Sequence, residues 1–239
     1  MTLKKEREGS ILNICEQKGS VNGGRAGTGD IFRSALVRNA RYEGILEIPC
    51  IDAQREIPSR MIPFSKAISG KEYEAWVHFY ESDERFERLW NRPERYLSAL
   101  RKYAGVITPD FSVLRDMPLV MQQWNIYRSR AIGHWLQENR IPVITNVRWG
   151  DERTFDLSCT GVPHAAAIAV GSHGCMKLGR ERQCFAEGLD HAVDRLRPKT
   201  LIVYGTAPDA IFLKYKQAGI SVLQFDSECM SAHKRTVHG

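Results

Sequence analysis

Long apolar runs are missing from this 239-residue chain. None approaches the ~18 residues a bilayer-spanning helix needs. Its first residues, MTLKKEREGS, carry charge without an apolar core, so nothing resembles a secretory signal. The six cysteines (Cys15, Cys50, Cys159, Cys175, Cys184 and Cys229) include no C-x-x-C pair. Scattered thiols without a leader read as reduced cysteines of a cytoplasmic protein. No G-x-S-x-G elbow, dinucleotide fingerprint, H-E-x-x-H pair or kinase set occurs, which removes several large enzyme classes. The glycine-rich GGRAGTG stretch is not a phosphate loop, because no buried strand precedes it and no Gly-Lys-Ser/Thr follows. His164, His173, Cys175 and Cys184 lie close together but fit no zinc template. Charge of one sign is not concentrated either: 34 basic and 28 acidic residues give +6, mixed along the chain. That balance is compatible with a polyanionic partner without requiring one.

What is present is a rhythm. Residues 1–40 read as a flexible, basic, Gly-rich arm, and 41–239 as a single α/β domain. Short apolar runs rich in Val and Ile recur as ILEIPC, RMIPF, AWVHFY, GVIT, PVITNV, AAIAV, TLIVYG and SVLQF. Runs apolar on both faces suit strands of a parallel sheet covered by helices. Helices are predicted over 118–139, with Val120, Trp124, Tyr127, Ala131 and Trp135 on one face, and over 183–197 and 207–218. Another, interrupted near Pro93, is predicted over 82–102. About eight short, mostly parallel strands alternating with helices predict a (β/α)-barrel-like fold, with an open doubly wound sheet as the alternative. Either would place a site at the strands' carboxyl ends.

Four segments, PDFSVLRDMPLVMQQWNIYRSRAIGHWLQ, NVRWGDERT, GSHGC and YGTAPDAIFLKYK, together resemble a bacterial and phage family, domain of unknown function 4417. The likeness runs from about Gly44 to about His233. It implies one coherent domain in bacteria, phages or mobile elements, and transfers no catalytic residue.

The residues that follow each strand therefore carry the functional reading. They are Asp52, then Ser65 and Lys66, Tyr80 and Glu81, Asp110 and Ser112, Asn146 and Arg148 with Trp149, Ser172 and His173, Tyr204 and Thr206, and Asp226 with Ser227. Any one of them could be an ordinary helix cap or solvated strand end. In parallel strands they would converge on one rim, where pKa values shift. GSHG is the sharpest motif. Ser172 and Gly174 flank His173, whose imidazole exchanges protons near neutral pH, and the turn's N–H groups can cradle an anion. Gly205 and Thr206, ahead of a helix opened by Pro208, offer a second anion site. Arg148 suits phosphate or carboxylate, and Trp149 suits a base or sugar face; alternatively Arg148 pairs with Asp110 or Glu81.

The leading expectation is an enzyme acting on a phosphate- or nucleobase-bearing substrate. His173 would be its acid or base, with Asp110 and Glu81 as partner carboxylates. Lys66, Ser112, Asn146, Arg148, Trp149, Ser172, Gly174, Tyr204, Gly205 and Thr206 would bind the substrate and its anion. The cofactor is open; carboxylates at Asp110, Glu81 and Asp226 would suit Mg²⁺ or Mn²⁺. Two alternatives stand beside it. One is a nucleic-acid-binding accessory protein of phage or plasmid replication, gripping phosphates with its basic arm. The other is a partner-binding inhibitor of a host factor, using Trp76, Trp90 or Trp149 as anchors. No membrane partner is expected.

Overall fold

The computed structural model describes residue 30 and residues 33–176 and 179–227. A small antiparallel hairpin of β1 (Tyr42–Glu43) and β2 (Ile48–Pro49) comes first. Seven further strands then form one sheet: β3 (Met61–Pro63), β4 (Trp76–His78), β5 (Gly105–Ile107), β6 (Val143–Asn146), β7 (Ala167–Gly171), β8 (Thr200–Tyr204) and β9 (Ser221–Phe225). Neighbours in the sheet are neighbours in sequence, and every pairing is parallel. All seven carboxyl ends therefore open on one side, as expected from the apolar runs.

Strand order never reverses, so each crossover rolls the sheet the same way and it curls. His78 on β4 and Tyr204 on β8 measure the curl. Four strand spacings would hold them ~19 Å apart in a flat sheet, yet their ring centroids lie 4.5 Å apart. The result is half a barrel, open between β3 and β9.

The helices are α1 (Phe64–Ala67), α2 (Asp83–Asn91), α3 (Glu94–Leu100), α4 (Leu119–Glu138), α5 (Phe155–Cys159), α6 (Gly179–Leu196) and α7 (Asp209–Gln217). Alternation along the strands sends Ile62, Val77, Val106 and Val143 outward to pack with Phe79, Phe86, Leu89, Ile132 and Leu136. Ile168, Val170, Leu201 and Val203 pack likewise with Phe185, Leu189, Ala192 and Phe212. The intervening positions Trp76, Ile107, Ile144, Ala167, Ala169 and Ile202 fill the concave face. Gly105 lies opposite Trp76, and a Cβ there would come 2.6 Å from the indole, so only glycine lets this ring cover the bottom of the curl.

Three expectations change. ILEIPC is not a barrel strand: Gly44 and Glu47 adopt φ of 72° and 50°, which turns the chain sharply and leaves Ile45 98% exposed at a hairpin tip. Asp52 consequently pairs with Arg41 rather than joining the rim. On α4, Val120 and Trp124 of the expected buried stripe are exposed, while Gln122, Asn125, Arg128, Ser129 and Arg130 are buried. The arm expected over 1–40 lies outside the described residues up to 29, but Leu36, in a short 3-10 turn over Ser34–Val37, is already part of the core.

Candidate functional site

The same two-residue alternation that fills the concave face builds its upper rim. Continuing from Trp76 it presents His78 and Tyr80; from Ile144, Asn146 and Arg148; from Ala169, Gly171; from Ile202, Tyr204. Above them opens a cleft of about 340 Å³, within the range of small-ligand sites. Tyr80, Glu81, Asp83, Asp110, Ser112, Arg148, Gly171 and His173 line it.

Asp110 is its chemical centre. Asn146 Nδ2 donates to Oδ1 at 2.7 Å, and Tyr80 Oη donates to Asn146 Oδ1 at 2.9 Å, so the amide is fixed from both sides. Oδ2 faces Arg148 Nη1 at 3.9 Å, too long for a hydrogen bond. The Asp110 side chain is only 14% exposed. Burial pushes its proton affinity above the ordinary carboxylate value, and Arg148 and the Asn146 amide only partly oppose that. Arg148 in turn holds its proton more tightly because of Asp110. Burial and the nearby Asp110 charge raise the Tyr80 phenol well above its usual range, so it stays a donor.

Beneath this layer Tyr80 and Tyr204 stack, with centroids 4.6 Å apart. His78 lies against Tyr204, and its Nδ1 accepts the Tyr80 N–H at 3.2 Å. Burial, with the charge of Lys66 adding to it, lowers the His78 pKa to about 3. The imidazole is therefore neutral.

The buried polar face of α4 holds the rim loops from behind. Ser129 Oγ donates to Pro109 O at 2.7 Å, Asn125 Nδ2 to Ser112 O at 2.6 Å, and Arg130 Nη1 to Asn146 O at 3.0 Å. Arg130 also reaches Ser158 O and Thr160 O, at 2.6 and 3.2 Å. Each bond gives a loop carbonyl a side-chain donor.

The remaining sequence candidates divide. Glu81 lines the cleft, but its carboxylate accepts Ser65 N–H at 2.9 Å and Ser65 Oγ at 2.6 Å, which ties two rim loops together. Ser112 donates N–H and Oγ to Asp83, at 3.0 and 2.9 Å. Ser172 is fully buried and donates to Thr206 O at 2.7 Å. These hydroxyls are committed within the protein. Gly205 (φ 115°) lets its loop approach Ser172, since a Cβ would lie 2.6 Å from the hydroxyl. Gly174 (φ 86°) shapes the turn that presents the exposed His173 at the rim. Lys66, Thr206 and Asp226 stand at other strand ends and do not line the cleft. Asp110, Glu81 and Asp226 do not assemble as metal ligands; among the described residues no three His, Cys, Asp or Glu side chains do. Trp149 is not a stacking surface for a base. It is 7% exposed, donates Nε1–H to Cys184 O at 3.3 Å and packs on Phe185. Trp76 and Trp90 are equally buried, so the three expected partner anchors belong to the interior.

His78, Asp83 and the buried face of α4 escaped the sequence reading. Only the W-x-H-x-Y alternation in AWVHFY marks His78 and Tyr80 as sharing the concave face.

Fold and cleft define a singly wound α/β half-barrel with a carboxylate–arginine pocket at its strand ends. Residues 40–226 match the family described as Domain of unknown function (DUF4417), and the chain belongs to that family. It is 34% identical over 163 residues to the Gene 1 protein of Mycobacterium phage D29, covering 66% of this chain and 60% of that protein. To the Gene 1 protein of Mycobacterium phage L5 it is 37% identical over 129 residues, covering 54% and 56%. The chain thus spans less than two thirds of either relative. No solved structure matches it significantly. Among the described residues no helix is long and apolar enough to cross a membrane.

Proposed function

We propose that this phage-related protein is an enzyme that binds a nucleobase- or phosphate-bearing small molecule in the strand-end cleft and uses Asp110 to move a proton. One observation supports the reading above all. Asp110 Oδ2 lies beside a cleft, receives no hydrogen bond from the described residues, and belongs to a carboxyl whose proton affinity burial has raised. A structural carboxylate would have both oxygens satisfied, as Glu81 and Asp83 do. A carboxyl whose proton affinity is raised in this way takes up a proton more readily than an ordinary carboxylate and can return it, as acid–base work requires.

Asn146 and Tyr80 orient the carboxyl, and Arg148 stabilises negative charge that develops next to it. His173, at the mouth, exchanges that proton with solvent. Carboxylates outnumber free cationic groups around the cleft, which favours the donor-rich edge of a base inside it over a bare phosphate. The free thiols Cys159, Cys175 and Cys184 suit a reducing cytoplasm.

The test is a panel of nucleosides, nucleotides and inorganic phosphate, incubated with protein and read by calorimetry and mass spectrometry. At least one organic compound should bind and be converted. Asp110→Asn should still bind it but convert it at least 100-fold more slowly, the scale of a lost acid–base group. Conversion by Asp110→Asn at the wild-type rate would overturn the assignment.

A further inference from the structure

Behind Arg148 lies a second chamber, of about 70 Å³, lined by Arg115, Glu181, Cys175, Cys184 and Phe185 among others. A water needs about 10–15 Å³ of such space, so the chamber has room for several waters or one tetrahedral oxyanion. Arg148 and Gly171 line both this chamber and the main cleft, so the two spaces adjoin.

The chamber's polar groups are unusual in being incomplete. Arg115 Nη1 and Arg148 Nε are both buried and have no hydrogen-bond partner among the described residues. Buried donors without partners are rare in native proteins, and leaving one unmade costs about 1–3 kcal/mol. Here two, on different loops, belong to guanidinium groups of the same small chamber. The other polar groups add little negative charge. Cys184 Sγ–H donates to Gly150 O at 3.3 Å, and burial pushes both the Cys175 and Cys184 thiols up, so they stay neutral. Glu181 is the one lining carboxylate; it holds Arg115 Nη2 at 3.1 Å and is 39% exposed, so it can swing away. Behind Arg115, its carbonyl accepts from Arg153, whose charge is matched by Asp151.

We infer that this chamber is an oxyanion site in which Arg115 and Arg148 together hold a phosphate group, with Glu181 occupying Arg115 until the anion arrives. The inference deepens the proposed function, and rests on it, only in one respect: a substrate whose phosphate sits here would extend past Arg148 and Gly171 towards Asp110. Guanidinium groups bind tetrahedral oxyanions through parallel N–H donors, which a lysine pair would not supply.

Calorimetric titration with sodium phosphate at low ionic strength tests the site directly. Wild-type protein should bind one phosphate. Arg115→Gln should weaken binding about tenfold or more, the scale of a lost charged hydrogen bond. Glu181→Gln should tighten it by removing the competing carboxylate, a gain that cannot come from misfolding. Asp110→Asn should not weaken it. A nucleoside monophosphate should bind more tightly than its nucleoside, and Arg115→Gln should erase that gap if the phosphate arrives on a nucleotide. An erased gap without free phosphate binding still supports the site. Absence of both, or equal affinities in wild type and Arg115→Gln, would overturn it. Conversion of a compound by an Asp110-dependent route would stand regardless, so the two readings fail separately.

Discussion

Tyr80 and Tyr204 stack with their ring planes 10° from parallel, although three strands separate β4 from β8. The pair closes the curl from within and forms the bed on which Asn146 and Asp110 rest. Gly171 makes room for it: a Cβ there would lie 3.0 Å from two carbons of the Tyr80 ring. Gly171→Ala should therefore push Tyr80 aside at a cost of about 1–3 kcal/mol, the range for overpacking. Urea denaturation should show the loss. The near-ultraviolet tyrosine signal should change with it, and an unchanged signal would mean the stack does not depend on this contact.

Asp110 should carry the stability signature of a working carboxyl. Its pKa in the folded chain lies above the ordinary 3.8, so the folded state binds the proton more tightly than the unfolded chain does. Stability from this group is therefore complete below pH ~3.8 and is lost as pH rises through the folded-state value. Asp110→Asn should melt at or above the wild-type temperature at pH 7, and the difference should shrink at pH 4. A clear drop in melting temperature at pH 7 would recast Asp110 as a structural residue.

His78 should act in the opposite sense. Its folded-state pKa of about 3 lies below the ordinary 6.5, so the unfolded chain takes up the proton first. The contribution is intact above pH ~6.5 and falls by about 1.4 kcal/mol per pH unit below it, until the pH nears 3. His78→Asn keeps an acceptor for the Tyr80 N–H but cannot titrate. Its stability, although lower overall, should decline less steeply between pH 6 and 4 when followed by urea denaturation at each pH.

Arg130 should not tolerate lysine. The guanidinium satisfies three carbonyls on two segments, the end of β6 and the end of α5, and burial lowers its pKa only to about 10, so it remains charged. An ammonium cannot span that fork. Arg130→Lys should cost about 2–3 kcal/mol in chemical denaturation, since at least one buried carbonyl loses its donor.

Trp149→Phe separates a core role from a ligand-stacking one. The substitution should destabilise the protein by about 1–3 kcal/mol through the lost hydrogen bond and volume. Affinity for any compound that binds the cleft should stay within about twofold, well under 1.4 kcal/mol.

The parallel sheet was legible because most of its strands are apolar on both faces, a pattern that helix-covered strands produce. Convergence of their carboxyl ends followed from that, and Asp110, Arg148, Glu81, Ser112 and His173 all line one cleft. The apolar stripe on α4 misleads because hydrophobicity is not burial on this helix. The helix buries Asn125, Ser129 and Arg130 to satisfy loop carbonyls, and it exposes Val120 and Trp124 instead. Hydroxyl counting at the rim misled for a related reason: sequence shows that Ser112 and Ser172 can donate, but not that Asp83 and Thr206 already accept. ILEIPC failed as a strand of the main sheet because its turn rests on a left-handed glutamate, which composition does not reveal.

The polar spine of α4 divides the molecule's tolerance to change. Loop tips facing the cleft could be exchanged for others of different shape, and with them the molecule that fits inside, while the helix kept the ends of β5 and β6 in register. Diversified libraries that spare Asn125, Ser129 and Arg130 should consequently yield mostly folded variants, whereas randomising those three should empty the library of soluble protein even with every cleft residue intact.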